Sequence, residues 1–98
     1  MAINYNFEWD RRKAIINQDK HAVAFSEAAT VFNDSKAISI FDPDHSDEED
    51  RWLTLGFSEK GRLLVVVHTF CEEDSDSVSI RIISSRKATK QEQRNYGE

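Results

Sequence analysis

The sequence predicts an α+β fold. A small antiparallel β-sheet carries two helices from the N-terminal part and a short helix near the C-terminus. Three observations point to it. Apolar residues at helical spacing are confined to the first third of the chain. Alternating or continuously apolar β-type runs fill the stretch from Ala37 to Ile82. A helix-capping pattern, Thr89-Lys90-Gln91-Glu92, follows the last of them. Runs of strands separated from runs of helices define the class. The expected order is β-α-α-β-β-β-β-α, read as one domain over residues 1–98.

Ile3, Tyr5, Phe7 and Trp9 alternate with Asn4, Asn6 and Glu8, the pattern of a half-buried strand. Asp10 can then cap a helix running to about Gln18, with Ala14 and Ile15 inward. Ser26 is a second N-cap candidate. Ala28, Ala29, Val31 and Phe32 make the apolar face of a helix that stops at Asn33-Asp34. Val23 and Phe25 can pack where the helices meet.

Ala37 to Phe41 is a short strand ended by Pro43. Ser46-Asp47-Glu48-Glu49 is a capping-box pattern that predicts a helical turn before the strand Trp52–Phe57. Ser58 to Gly61 is a turn with Gly61 free to take positive φ. Leu63 to Val67 is apolar on both faces and is expected at the sheet centre. The acidic stretch after Cys71 is an exposed loop. Val78, Ile80 and Ile82 mark the last strand, Thr89 opens the terminal helix, and Gly97 would end it.

Composition bounds the function. The chain has 39% hydrophobic and 32% charged residues, as a globular domain has. No apolar run approaches the roughly 20 residues of a membrane span, and the first residues do not read as a signal peptide. A lone cysteine, Cys71, fits a reducing cytosol, so a cytoplasmic location is expected. No ligand spacing among the three His and the carboxylates supports a metal site, and no cofactor is expected. The net charge of −5 comes from two clusters, Asp42 to Asp50 and Glu72 to Asp76. From Arg81 onward five basic residues face two acidic ones, so a basic surface beside acidic loops is available.

A basic surface can hold phosphate, and chemistry at a phosphate needs a proton acceptor, a proton donor and cations for the developing charge. Arg suits the last role through its fixed charge and planar fork. Arg51, Arg62 and Arg86 stand at expected ends of sheet elements. They can form a phosphate clamp, or cover apolar edges and pair with carboxylates. Arg81, opposite in parity to Val78, Ile80 and Ile82, lines a groove or faces solvent or a partner. His45, in a polar loop with Glu49, is a candidate base or acid, or an exposed loop histidine. His21, beside Lys20 in the helix connection, and His68, in the central strand, read as structural. Tyr96 can stack on a base, donate a proton or pack its helix onto the sheet. Lys87 and Lys90 can steer phosphates. Thr89 and Glu92 are accounted for by capping.

Several strings share an order and spacing across the chain. They are Phe7-Glu8-Trp9-Asp10, Lys20-His21, His45-Ser46 with Glu49 and Arg51, Gly61-Arg62 with its apolar run, and Arg81-Ile82-Ile83-Ser84-Ser85-Arg86-Lys87-Ala88 leading to Glu92 and Tyr96. In these the chain resembles the BrnT family of bacterial toxins. The resemblance implies a RelE-like fold and translation-linked RNA cleavage without a metal. It also implies a BrnA-like antitoxin with a ribbon-helix-helix DNA-binding part. Operator DNA would be reached only through that antitoxin, and toxin and antitoxin would together repress their operon. The twofold symmetry of such antitoxins suggests a 2:2 complex. By the same resemblance Arg62, Arg86 and Tyr96 stand at site positions, and Arg51, His45 and Glu49 belong to the shared motif. Arg62 and Arg86 are expected to clamp the scissile phosphate with Arg51 assisting. His45 or Glu49 is the expected base, and Tyr96 or an Arg the expected acid. The chain departs from the family in three places. Ala22 stands where Gly is usual and argues against a positive-φ turn there. The segment from Glu72 to Ser79 is longer and more acidic. Ser85 replaces a common Ala. The alternative to a nuclease is a non-catalytic interaction module that acts only within a repressor complex.

Overall fold

The computed structural model describes residues 3–45 and 49–96. The strands are β1 (Asn4–Trp9), β2 (Ile38–Asp42), β3 (Arg51–Phe57), β4 (Leu63–Thr69), β5 (Cys71–Glu72) and β6 (Ser77–Lys87). The helices are α1 (Arg11–His21), α2 (Phe25–Ala29) and α3 (Lys90–Asn95). The sheet runs β1-β6-β4-β3-β2, with β5 beside β6. β4, apolar on both faces from Leu63 to Val67, takes the middle, as its two-sided hydrophobicity requires.

The sheet is mixed rather than antiparallel. β1 pairs in parallel with β6, from Asn4 beside Ser77 to Trp9 beside Ile82. The cause is connectivity. After β1 the chain crosses one face of the sheet as α1 and α2, then enters β2 at the opposite edge. β1 is therefore left for the last long strand. The other pairings, β2 with β3, β3 with β4 and β4 with β6, are antiparallel.

The helical layer and the sheet enclose the core. Val23, Phe25, Ala28 and Val31 meet Leu64, Val66, Val78, Ile80 and Ile82, all buried. The expected packing of Val23 and Phe25 at the helix junction is this core. Asp10 caps α1 by accepting the Lys13 amide at 3.1 Å. α1 runs one turn past Gln18, so Lys20 and His21 lie in its last turn rather than in the connection. Ala22 ends it in the left-handed region (φ 58°), so the turn is made without glycine. The Ala22 amide donates to Gln18 O at 2.9 Å, the hydrogen bond that closes this end. Ser26 is not an N-cap: α2 starts at Phe25 with Ala24 as cap and no side-chain bond, because burial of Val23 and Phe25 sets the register. A 3₁₀ turn over Thr30–Asn33 carries α2 to the expected stop.

β2 ends at Asp42 and a turn over Pro43–His45 follows. The Ser46-Asp47-Glu48 part of the expected capping box and Gly97 lie outside the described residues. Gly61 takes φ 77° in the β3–β4 turn. One stretch differs from expectation: the acidic loop contains the short strand β5. β6 continues past Ile82 to Lys87, so Arg86 stands near the strand's end as the sequence suggests. The continuation is held by Asn17, 5% exposed under α1. Its Nδ2 donates to Val23 O and Ser85 O, both at 2.9 Å, and its Oδ1 accepts from Ser85 N at 3.1 Å. Ser85 Oγ donates to Val65 O at 3.0 Å. A buried amide thus lets a polar stretch remain sheet.

Candidate nucleic-acid interface

A register shift in β6 organises the site. His68 stands opposite Ile82 and Val67 opposite Ser84, so Ile83 is an extra residue. Such a β-bulge inverts the strand's parity beyond it. Arg81 and Arg86 would leave a regular strand on opposite faces. Here both lie on the face away from α1 and α2: Arg81 alternates with buried Ile80 and Ile82, and Arg86 pairs with Val65. Arg51 pairs with Thr69 on the same face. Between these cations lie Leu53 and Val67, both half-buried, and Ile40 beside Leu53, 59% exposed, extends the apolar ground to the edge strand β2.

Arg81 and Arg86 have held geometries. Arg81 pairs with Glu49, which the loop before β3 brings in. Its amide also donates to Thr69 Oγ1 at 3.3 Å. Arg86 makes a fork with Glu92, Nη1 to Oε1 at 2.8 Å and Nη2 to Oε2 at 3.0 Å. Glu92 therefore does more than cap. It also accepts the Thr89 amide at 2.8 Å in the capping box of α3, so one carboxylate ties helix to strand. The Arg86 guanidinium holds Glu92 down to about 2, leaving it too weakly basic to take a proton near neutrality. What it does in the structure is hold Arg86 in place.

Tyr96 stands at the rim. Its hydroxyl donates to Asp34, whose Oδ2 also accepts the Phe57 amide at 2.9 Å, and its ring meets Phe57 edge-on at 5.0 Å. Asp34 pushes the phenol up to about 12. Lys87 and Lys90 are exposed around the start of α3. His45 closes the turn after β2; its side chain lies outside the described residues.

Arg62 is not with the others. It precedes β4 on the helical side, where Nε donates to Glu27 Oε2 at 2.8 Å, Nη2 pairs with Glu27 Oε1, and Nη2 donates to Ala22 O at 3.1 Å. Glu27 is 3% exposed and also accepts from Ser58 Oγ at 2.7 Å. The Arg62 hydrogen bond and, secondarily, that of Ser58 keep Glu27 below its usual range despite burial. Arg62 thus locks α2 to the β3–β4 turn, and the structure does not bring it together with Arg86. The sequence reading gives Glu27 and Asn17 no role of their own, and Asp34 only that of a helix stop. Glu27 did leave a signal: a carboxylate beside Ala28 on a buried helix face requires a cation.

His68, in the core, is 2% exposed. Nδ1 lies 2.9 Å from Thr69 O, an obligate acceptor, so Nδ1 carries the proton. Burial pushes its pKa down, so the ring is neutral and Nε2 accepts from Thr54 Oγ1 at 2.6 Å. Thr54 in turn accepts from Ser39 Oγ at 2.8 Å.

The arrangement defines a class: a small mixed-sheet α+β protein with arginines arrayed over one face. Residues 9–92 match the family described as "Ribonuclease toxin, BrnT, of type II toxin-antitoxin system", and the chain belongs to that family. Membership gives it the role of a toxin with an antitoxin counterpart. Among solved structures the ribonuclease toxin BrnT of Brucella abortus is similar, with TM-score 0.55 and 20% identity over 89% of this chain and 99% of that one. At that identity the likeness is one of fold. No curated protein matches. Among the described residues no helix is long and apolar enough to cross a membrane.

Proposed function

We propose that the chain, acting as one toxin domain in the cytoplasm, is an endoribonuclease whose substrate lies on the sheet face bearing Arg51, Arg81 and Arg86. The carrying observation is the bulge at Ile83, which sets Arg81 and Arg86 on one face, roughly 15 Å apart along the strand. That separation suits successive contacts along an RNA backbone. Arg86 holds the scissile phosphate, and Arg81 with Arg51 holds the flanking chain; Lys87 and Lys90 steer. Glu49 or His45 takes the proton of the 2′-hydroxyl as its oxygen bonds to phosphorus. The P–O5′ bond breaks and the leaving oxygen is protonated by an acid, for which Tyr96 and the arginines are the candidates. Arginine charge offsets the developing negative charge, and no step calls for a metal. The RelE-like organisation implied by the family resemblance, with charges on one sheet face and at the start of the last helix, supports this reading.

Cleavage of RNA would stop translation. A BrnA-like ribbon-helix-helix antitoxin would neutralise the toxin and carry it to operator DNA in a 2:2 complex. The test is induced expression in a bacterial host with and without the adjacent reading frame, followed by mapping of RNA ends. New ends and growth arrest, reversed by the neighbour and lost in Arg81→Ala/Arg86→Ala, are expected. Normal growth and intact RNA from well-expressed, folded protein would overturn the nuclease and leave a repressor-bound interaction module.

A further inference from the structure

Charge is divided along the sheet. The β2–β3 and β4–β6 connections meet at one end and bring Asp44, Asp50, Glu72, Glu73, Asp74 and Asp76 there, all exposed. Lys36, Lys60, Lys87 and Lys90 are exposed at the other end. On the helical side of the acidic end lies a cavity of about 210 Å³ lined by Tyr5, Phe32, Ser39, Trp52, His68 and Phe70. Phe32, from the 3₁₀ turn after α2, is its wall from the helical layer. Glu72, Val78 and Tyr5 occupy one register row, so Glu72 leaves the sheet on the cavity's side.

We propose that this cavity receives an arginine or lysine side chain from a basic segment of the antitoxin; the proposal rests on the toxin–antitoxin reading above. Three properties select that occupant. The walls are aromatic, and ring faces attract cations. The hydrogen-bond chain from Ser39 through Thr54 to His68 runs inward. Ser39 therefore spends its proton on Thr54 and presents lone pairs to the cavity, so an incoming group must donate. The acidic rim attracts a basic segment and repels RNA phosphates. The site is on the face opposite Arg81 and Arg86, so the antitoxin would grip the toxin away from the nuclease surface.

The test uses full-length protein, the purified product of the adjacent reading frame, and a labelled peptide of arginine and alanine with a glutamine-for-arginine control. Affinities are compared for wild type, Phe70→Ala and Glu72→Lys/Asp74→Lys, each verified as folded by circular dichroism. A Trp9→Phe background leaves Trp52 as the fluorescent reporter. The expected result is that the arginine peptide, and not its control, shifts Trp52 emission and competes with the antitoxin. Both variants should bind the antitoxin roughly tenfold or more weakly, with a smaller salt dependence in the charge reversal. Unchanged antitoxin affinity in both variants overturns the proposal and leaves the toxin–antitoxin reading standing. Failure of wild type to bind the neighbour's product overturns that reading itself. Two further results would reassign the surface: self-association that both variants abolish, pointing to a second copy of this chain, or RNA crosslinks at Trp52.

Discussion

Arg81 and Arg86 are five residues apart on one strand and yet share a face, because Ile83 is bulged between them. Each should matter to cleavage and little to folding. Arg86→Ala is expected to slow RNA cleavage about 100-fold, the usual cost of removing one charge-stabilising donor. Its stability should fall by no more than about 1 kcal/mol, since the pair with Glu92 is partly exposed. Single-turnover cleavage and urea unfolding of the same preparation check both halves. Wild-type cleavage by Arg86→Ala would remove it from the phosphate site.

Arg62→Ala should behave in the opposite way. Glu27 would stay buried with only Ser58 as a hydrogen-bond partner, a loss of about 3 kcal/mol. Protein that remains folded at low temperature should cleave RNA at the wild-type rate. A urea midpoint equal to wild type would show that the Arg62–Glu27 lock contributes nothing.

These two arginines mark the limit of what sequence reveals. Strands with clean alternation, such as the one holding Tyr5, Phe7 and Trp9, were legible, as were the capping box at Thr89 and the central position of Leu63 to Val67. Pairing partners were not. β1 finds β6 through contacts that span most of the chain. Arg62 and Arg86 look alike in sequence, each at an apparent strand end, and only distant carboxylates, Glu27 for one and Glu92 on the next helix for the other, separate them. Ser84-Ser85 has no apolar alternation of its own, and Asn17 supplies the buried hydrogen bonds that keep it in the sheet. The Ile83 bulge contains no glycine and leaves no local sign.

Asn17→Ala should confirm the role of that amide. It removes three hydrogen bonds and strands the Ser85 backbone in the interior, a loss of about 3 kcal/mol. Hydrogen exchange should accelerate most at Ser85 and its β4 partner Val66. Exchange confined to α1 would mean that the end of β6 does not depend on Asn17.

Ala22→Gly should stabilise the protein by about 1 kcal/mol. The residue sits at φ 58°, where a Cβ is penalised and glycine is not. The denaturation midpoint should rise, with cleavage and antitoxin binding unchanged. A fall in the midpoint would place Ala22 outside the left-handed region in solution.

Stability should decline with acid in two stages. Burial holds His68 below its ordinary 6.5, so the unfolded chain takes up that proton first. Its contribution is complete above about pH 6.5 and is lost as pH falls. Glu27 is held low chiefly by Arg62, Asp34 by the Phe57 amide and then Tyr96, and Glu92 by Arg86, the last to about 2. Their contributions are present above the usual carboxylate values and are lost as pH falls below them, for Glu92 between about pH 4.5 and 2. Tyr96, raised by Asp34 from 10.0 to about 12, works at the other extreme: its contribution holds below pH 10 and is lost between there and 12. Urea midpoints across pH, with Tyr96→Phe lacking the alkaline decline, test the scheme.

The parallel pairing of β1 with β6 also has a consequence for biogenesis. The first strand made must wait for the last, roughly 70 residues later, before it can hydrogen-bond. At cellular synthesis rates that is about 4 to 15 seconds. A nascent chain therefore carries neither the β1–β6 pairing nor Arg81 and Arg86 on one face until β6 has been made.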